Sequence, residues 1–301
     1  MAAPPVDMPA QRPLLGIGLL LIGLAIVPAM DAMAKYLSAF YPVFQITWGR
    51  YFFHFLVMAP WILCVYGPKG FRPKRMSLQF LRAGFMLTAS LSFFGALSAM
   101  PMADAIAILF VSPLLVTGMA PFLLGERVGP RRLFAVLAGF VGALIIVRPT
   151  GDGVGWPALL ALLSAVLYSG YAICTRKLAG AAPPLITLLF TASVGAVVLT
   201  AIMPFVWVPP ALEHWPLFVG LGLVSAFGHF FLIKAFELAE APLLAPFHYS
   251  ELLTATVIGY LVFGDFPDAW TWVGAAIVAA AGLYVTWREY RLARPPEPGR
   301  G

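Results

Sequence analysis

Apolar residues run through this chain in blocks of about twenty, separated by short polar intervals, and not as the one-sided stripe of a water-facing helix. Ten blocks can be marked: Leu14–Tyr36, Phe44–Tyr66, Leu78–Met100, Ala103–Leu124, Leu133–Val147, Pro157–Thr175, Pro184–Val206, Trp215–Leu238, Leu243–Phe263 and Trp270–Trp287. A hydrocarbon core is crossed by about 20 residues of α-helix. The pattern therefore predicts an all-α membrane protein of ten transmembrane helices, with short connections that make consecutive helices antiparallel neighbours. The first block follows Arg12 and ends near Ala32 and Ala34, which resembles a secretory leader. It is long for a leader, Asp31 and Lys35 flank the would-be cleavage point, and more membrane follows at once. It is read as an uncleaved first span.

Composition agrees with the pattern. Of 301 residues, 61% are hydrophobic and 11% charged, and the mean hydropathy is +0.91. A water-soluble domain carries about a quarter charged residues, so most of this chain must have lipid as its solvent. The formal charge of +6 sits in short clusters between apolar runs, where topogenic loops account for it without a nucleic-acid partner. Cys64 and Cys174 fall inside apolar runs and are expected to be buried free thiols.

Two stretches 139 residues apart repeat one pattern with opposite charge. Phe110-Val-Ser-Pro leads through Leu124 to Gly125-Glu126 and a turn with Arg127, Arg131 and Arg132. Tyr249-Ser-Glu-Leu leads through Phe263 to Gly264-Asp265 and a turn with Asp268 and no cation. With the N-terminus cytoplasmic, the cytoplasmic side collects 15 cations: Arg12, Lys69, Arg72, Lys74, Arg75, Arg127, Arg131, Arg132, Arg176, Lys177, Lys234, Arg288, Arg291, Arg294 and Arg300. The other side holds only Lys35 and Arg148. The positive-inside rule then puts both termini in the cytoplasm. Five spans are an odd number, so the two halves are inverted repeats. They are expected at 14–149 and 156–288, joined by the Gly/Pro segment after Arg148, with cytoplasmic tails at 1–13 and 289–301.

The chain resembles an EamA-type member of the drug/metabolite transporter superfamily. In the first half the matching residues are Asp104 through Leu115, Leu124-Gly-Glu-Arg127 and Gly139 through Pro149. In the second they are Ala241 through Pro246, Glu251 through Ala255, Phe263-Gly-Asp265 and Gly274 through Tyr284. The Gly-Asp of the second half departs from the usual Gly-Glu, and the loss of basic residues there fits the inverted orientation. The resemblance implies ten helices, with spans 1–4 and 6–9 around a central cavity and spans 5 and 10 peripheral. It also implies small-molecule cargo, from exported amino acids to imported vitamins, nucleosides or cofactors.

An ionisable group inside a span needs a partner, a way to the interface, or a wet cavity. Span 2 offers Thr47, Arg50 and His54 at helical spacing. Arg50 has the fork geometry for a substrate carboxylate, or for an acid on a neighbouring helix. Span 6 aligns Ser164, Tyr168, Tyr171 and Thr175 on one face; the tyrosines can stack a ring, and the hydroxyls can equally serve as helix–helix hydrogen bonds. Span 8 gives Ser225 and His229, and span 9 gives His248, Tyr249 and Glu251 near Pro242 and Pro246, which weaken the backbone. His229, His248 and Glu251 suit proton coupling or an ammonium group, or are hydrogen-bonded structure. Phe94 and Phe110 are aromatic candidates for the cavity wall. Asp31 and Lys35 are expected to pair at i,i+4 or to snorkel to the outer interface, Arg82 to snorkel to the cytoplasmic face, and Glu126 to cap or pair within its turn.

No histidine, cysteine or carboxylate spacing resembles a metal site, no phosphate-binding loop is present, and no nucleophile–base set is clustered. An enzyme, a cofactor-dependent protein and an ATP-driven pump are thereby disfavoured. The sequence reads as a secondary transporter in a bacterial-type inner membrane, able to work as a monomer. Its cargo is a small metabolite: amino-acid export, aromatic amino acids included, is the first reading, and uptake of a vitamin, nucleoside or cofactor-like compound the second.

Overall fold

A computed structural model describes residues 12–68, 74–125, 129–148 and 155–293. Among the described residues twelve α-helices follow one another: α1 Pro13–Leu37, α2 Val43–Tyr66, α3 Met76–Leu97, α4 Met102–Leu109, α5 Ser112–Leu124, α6 Pro130–Val147, α7 Trp156–Lys177, α8 Pro184–Val206, α9 Trp215–Leu238, α10 Ala241–His248, α11 Ser250–Phe263 and α12 Ala269–Ala293. No strand occurs among the described residues. Eight helical stretches there are long and apolar enough to cross a membrane, with a shorter apolar helix at Leu133–Val147. Large apolar side chains stand bare on the outer surface, Phe122 at 87% exposure and Phe205 at 86% among them. Lipid is the solvent that tolerates such a surface. The protein is an integral membrane protein.

Two of the ten expected blocks are not single helices. The fourth breaks at Phe110–Val111 into α4 and α5, where Pro113 has no N–H to bond the carbonyl one turn back. The ninth breaks at Tyr249 into α10 and α11, three residues after Pro246. The two breaks meet: the Phe110 and Tyr249 rings touch edge to face, with centroids 5.2 Å apart. The Tyr249 hydroxyl lies in the space left by the missing side chain of Gly282 on α12.

Packing runs chiefly between the halves. α1 lies along α9 and α11, α3 along α7, α2 along α8 and α9, and α6 along α12. Without a hydrophobic force between helices in lipid, such pairs depend on close approach and interhelical hydrogen bonds. At the α6–α12 crossing, a β-carbon on Gly142 would lie 2.8 Å from the Gly274 carbonyl oxygen, and one on Gly274 would lie 2.5 Å from that of Gly142. The α8–α9 connection is tied to the start of α2. Gln45 Nε2 donates to the Val208 carbonyl at 2.7 Å and Gln45 Oε1 accepts from the Val208 N–H at 2.9 Å, while Tyr41 Oη accepts from the Ala211 N–H at 3.0 Å and meets His214 Nδ1 at 2.8 Å.

Both cysteines are free. Cys174 is buried as expected, but Cys64 is exposed, because that face of α2 has no helix against it. The basic turn with Glu126 and Arg127, the cations Lys69 and Arg72, the linker 149–154 and the outer parts of both tails lie outside the described residues.

The α6–α12 crossing yields a test. Gly142→Leu or Gly274→Leu forces two backbones apart and should cost about 1–3 kcal/mol, an overpacking penalty. Gly84→Ala, where a β-carbon meets nothing within 4 Å, should leave the melting temperature in detergent unchanged or raised. Equal melting temperatures for the two leucine variants and the parent would refute the close crossing.

Candidate functional site

The buried charges of the molecule collect at its centre. Arg50 on α2 is 7% exposed. Its Nη1 donates to Ser90 Oγ on α3 at 2.9 Å and its Nε to Ser225 Oγ on α9 at 3.4 Å. Tyr51 Oη shares Ser90 at 3.0 Å, and the Phe94 ring lies 5.6 Å from the guanidinium carbon. One turn along α2, His54 Nδ1 meets Ser225 Oγ at 3.0 Å. His229 Nδ1 lies 2.8 Å from the Ser225 carbonyl; a carbonyl only accepts, so this nitrogen donates and Nε2 is the other edge of the ring. The His54 and His229 ring centroids are 6.1 Å apart.

Beside this lies a second buried arginine. Arg82 on α3 does not snorkel to the interface: it is 4% exposed. Its Nε donates to Thr175 Oγ1 at 2.7 Å, its Nη1 to Thr191 Oγ1 at 2.6 Å and the Thr187 carbonyl at 3.1 Å, and its Nη2 to Tyr171 Oη at 2.5 Å. The guanidinium also stacks over the Tyr171 ring at 4.3 Å. α7 and α8 thus supply neutral acceptors that hold the charge in place of water. Tyr168 stands with its ring centroid 5.5 Å from that of Tyr171 and is 38% exposed.

The remaining candidates divide. Thr47 is fully buried with its hydroxyl bonded to the Val43 carbonyl at 2.8 Å, within its own helix. Ser164 serves as helix–helix glue, its hydroxyl donating to the Ala89 carbonyl of α3 at 2.9 Å. His248 ends α10 and packs on Phe236, 5.8 Å between centroids, and the break at Tyr249 separates it from Glu251. Glu251, in the first turn of α11, is half-buried.

Asp31 is the residue that sequence reasoning misplaced. It does not pair with Lys35, which is joined to Asp265 at 2.6 Å and donates to the Met100 carbonyl at 3.0 Å. Asp31 is 3% exposed and acted on by the charge of Arg50. The misassignment of Asp31 and Arg82 has one cause: local spacing and nearness to a span end were allowed to choose their partners. Their own signal was available, since both are charges within apolar blocks.

Arg50, Tyr51, His54, Met86, Tyr171, Leu188, Thr191, Ala192, Ser225 and His229 line a pocket of about 20 Å³, room for about one water. A larger cleft, about 360 Å³, opens between α10 and α12. Its lining is apolar apart from Glu240 and Thr286, and none of the candidates above lines it. Recognition of a polar metabolite needs converging polar groups, so the small central cavity is the candidate site. No group of three or more histidine, cysteine or carboxylate side chains able to hold a metal occurs among the described residues.

Residues 14–148 and 155–287 each match the EamA-like transporter family. The chain belongs to that family. It is 37% identical over 205 residues to a riboflavin transporter of Rhizobium johnstonii, covering 66% of this chain and 67% of that protein. It is 30% identical over 275 residues to an S-adenosylmethionine uptake transporter of Rickettsia bellii (91% and 94% covered), and 28% identical over 259 residues to the pseudopaline exporter CntI of Pseudomonas aeruginosa (84% and 89%). A protein of known crystal structure, 20% identical, superposes with a TM-score of 0.63 over 94% of this chain and 98% of its own, a likeness of fold. This EamA-like chain is a small-molecule transporter of the drug/metabolite superfamily and not an enzyme.

Two tests follow from the geometry. Arg82→Lys keeps the charge but replaces a planar fork with a single ammonium. Losing part of four hydrogen bonds to a charged group should lower stability by about 2 kcal/mol, read as a fall in melting temperature; an unchanged midpoint would contradict the network. At the end of α6, the Arg148 guanidinium bonded to Asp268, with help from the Thr271 N–H, holds the Asp268 carboxyl below its ordinary value. That contribution is present above the ordinary carboxylate value of about 4 and is lost as the pH falls below it. The melting-temperature gap between the parent and Asp268→Asn should stay constant from about pH 8 to pH 5 and close below pH 4.

Proposed function

We propose that this transporter takes up a ring-bearing, cofactor-like metabolite, of the size and chemistry of a flavin or an adenosyl compound, by alternating access. The observation that carries the reading is the central cluster itself. α2 and α3 of one half and α7, α8 and α9 of the other line one cavity with Arg50, His54, Tyr171 and His229 among its residues, and Arg82 and Tyr168 stand beside Tyr171. Stacked tyrosines suit a planar heterocycle, and the arginine and imidazole edges suit its polar substituents. The relatives above are named for riboflavin, S-adenosylmethionine and pseudopaline, which favours this reading over amino-acid export.

The cycle rests on ten spans in two inverted halves, with boundaries near 149 and 156. The helix pairings support it. Exchanging α1 with α7, α2 with α8, α3 with α9, α4 and α5 with α10 and α11, and α6 with α12 turns each main pairing into another that is present: α1–α9 becomes α3–α7, and α1–α11 becomes α5–α7. α2–α8 and α6–α12 map onto themselves. A pseudo-twofold axis between the halves is the simplest source of such a pattern. A cavity for one water is a closed state, so admitting a metabolite requires the halves to rock apart. The cation count supports both termini facing the cytoplasm in a bacterial inner membrane.

Proteoliposomes should show saturable uptake of labelled riboflavin or S-adenosylmethionine. Tyr168→Ala should cut that uptake about tenfold, the loss of one stacking contact worth about 1.4 kcal/mol. Absence of saturable flux for every ring-bearing compound offered would overturn the reading, and full flux in Tyr168→Ala would overturn the site. In cells, with Cys64 and Cys174 replaced, a cysteine at Pro267 should react with an impermeant thiol reagent from outside and one at Gly70 should not; the reverse labelling would invert the topology.

A further inference from the structure

The turn between α11 and α12 belongs to the second half of the chain, yet its polar side chains are held by the first. Lys35, in the last turn of α1, bonds the Asp265 carboxylate at 2.6 Å and the Met100 carbonyl at 3.0 Å, with its ammonium 5.0 Å from the centre of the Phe263 ring. Arg148, just past the end of α6, pairs with Asp268. Thr271, 2% exposed, donates its hydroxyl to the Asp104 carboxylate of α4 at 3.0 Å. The turn itself is stiff. Gly264 ends α11 at φ +74°, the Gly264 and Asp265 N–H groups bond the Tyr260 and Gly259 carbonyls, and Asp268 accepts from the Thr271 N–H at 2.9 Å where α12 begins. Arg148 closes α6 at φ +45°, a left-handed conformation that glycine adopts freely and arginine does not. Glycine would end the helix without strain; arginine adds a guanidinium that reaches Asp268.

These contacts share one place. α1 ends and α12 begins here, so the turn covers the face of the bundle opposite both termini. At the other end, Lys234 and Glu237 pair within a single helix. The ties at the turn also differ in kind from those deeper in the molecule. Parting the Gly142–Gly274 crossing loses close packing, and parting the Arg82 cluster leaves a buried charge bare. A half-exposed ion pair exchanges its partner for hydration at small net cost, and the side chains of Asp265, Arg148 and Asp268 are 33%, 43% and 48% exposed. Contacts of that strength can be made and broken in every cycle. We propose that the α11–α12 turn is the outer latch of the transporter: with Lys35–Asp265 and Arg148–Asp268 joined the central pocket is shut from the outer side, and both pairs part when the halves rock open there. The latch rests on the alternating-access cycle of the uptake reading and adds the residues that hold its closed state. Lys35 is its central member, since one ammonium ties α1, the segment before α4 and the turn.

The test is how often the outer face opens. With Cys64 and Cys174 replaced, Ala192→Cys puts a thiol on the wall of the central pocket, and its labelling rate in cells by an impermeant methanethiosulfonate reagent reports outward opening. Lys35→Glu should raise that rate about threefold, the population shift that losing one interfacial ion pair gives. Asp268→Asn should move it in the same direction, and it decides the matter if Lys35→Glu does not reach the membrane. Exchanging the charges, Lys35→Asp with Asp265→Lys, should return labelling towards the parental rate, which a mere loss of packing would not do. Lys234→Ala, at the other end, should label as the parent does. Parental labelling in Lys35→Glu, or in Asp268→Asn where that variant decides, would overturn the latch. So would a charge exchange that labels as fast as Lys35→Glu, or an equal rise in Lys234→Ala. Labelling needs no cargo, so the two levels separate. The latch can fail while saturable flux of riboflavin or S-adenosylmethionine upholds the uptake reading, and absence of that flux with the labelling pattern intact sinks the cargo and keeps the latch.

Discussion

Everything at the centre of this protein follows from the cost of holding a guanidinium out of water. An arginine in an apolar helix bundle must replace its hydration shell with fixed acceptors or with a countercharge. Arg82 takes the first course: two threonine hydroxyls, a helix carbonyl and a tyrosine hydroxyl close around it. Four acceptors from α7 and α8 are thereby fastened to α3, so a charge that is expensive to bury becomes a rigid joint between the two halves. Arg50 takes a lighter course, with two serine hydroxyls as its acceptors. The saturated arginine fixes Tyr171 in place.

On the proposed uptake reading, that joint also places the ring platform. Tyr171 is held by hydroxyl and ring face to the same guanidinium, so its plane is set before any cargo arrives. Tyr168, one turn earlier on α7, needs only to stack alongside. Preorganisation of this kind reduces the side-chain entropy lost on binding. The broken helices serve the same end from the other side. The turns at Phe110 and Tyr249 let α4–α5 and α10–α11 bend where they meet, and Glu251 sits just past one of them. Irregular backbone is tolerated at membrane depth where protein or a cavity surrounds it, and these breaks are enclosed in that way.

Much of this architecture was legible in the sequence because lipid imposes simple rules. A run of twenty apolar residues has few alternatives to a helix, and the family match covers both halves of the chain. The polar stripe of α2 predicted Arg50 and His54 at the centre, and the face of α7 predicted the tyrosine pair. Ser164 and Thr47 lay on the same stripes but turned their hydroxyls to carbonyls, since a serine or threonine can satisfy itself on a backbone without any visible change in pattern. The helix breaks were half legible: Pro113 and Pro246 marked them, but a proline says where a hydrogen bond is missing and not whether the chain will kink there.

Asp31 shows where reading by spacing fails, and why the failure is informative. Lys35 is its i,i+4 neighbour, and on an isolated helix the two would pair for a few tenths of a kcal/mol. The fold offers Lys35 two better partners, the Asp265 carboxylate from the α11–α12 turn and the Met100 carbonyl before α4. Their combined geometry outweighs a weak local pair. Once Lys35 is drawn away, Asp31 remains inside the bundle with only a distant arginine for company. A protein selected for stability alone would have an apolar residue at such a position, since a poorly partnered buried carboxylate is a net loss.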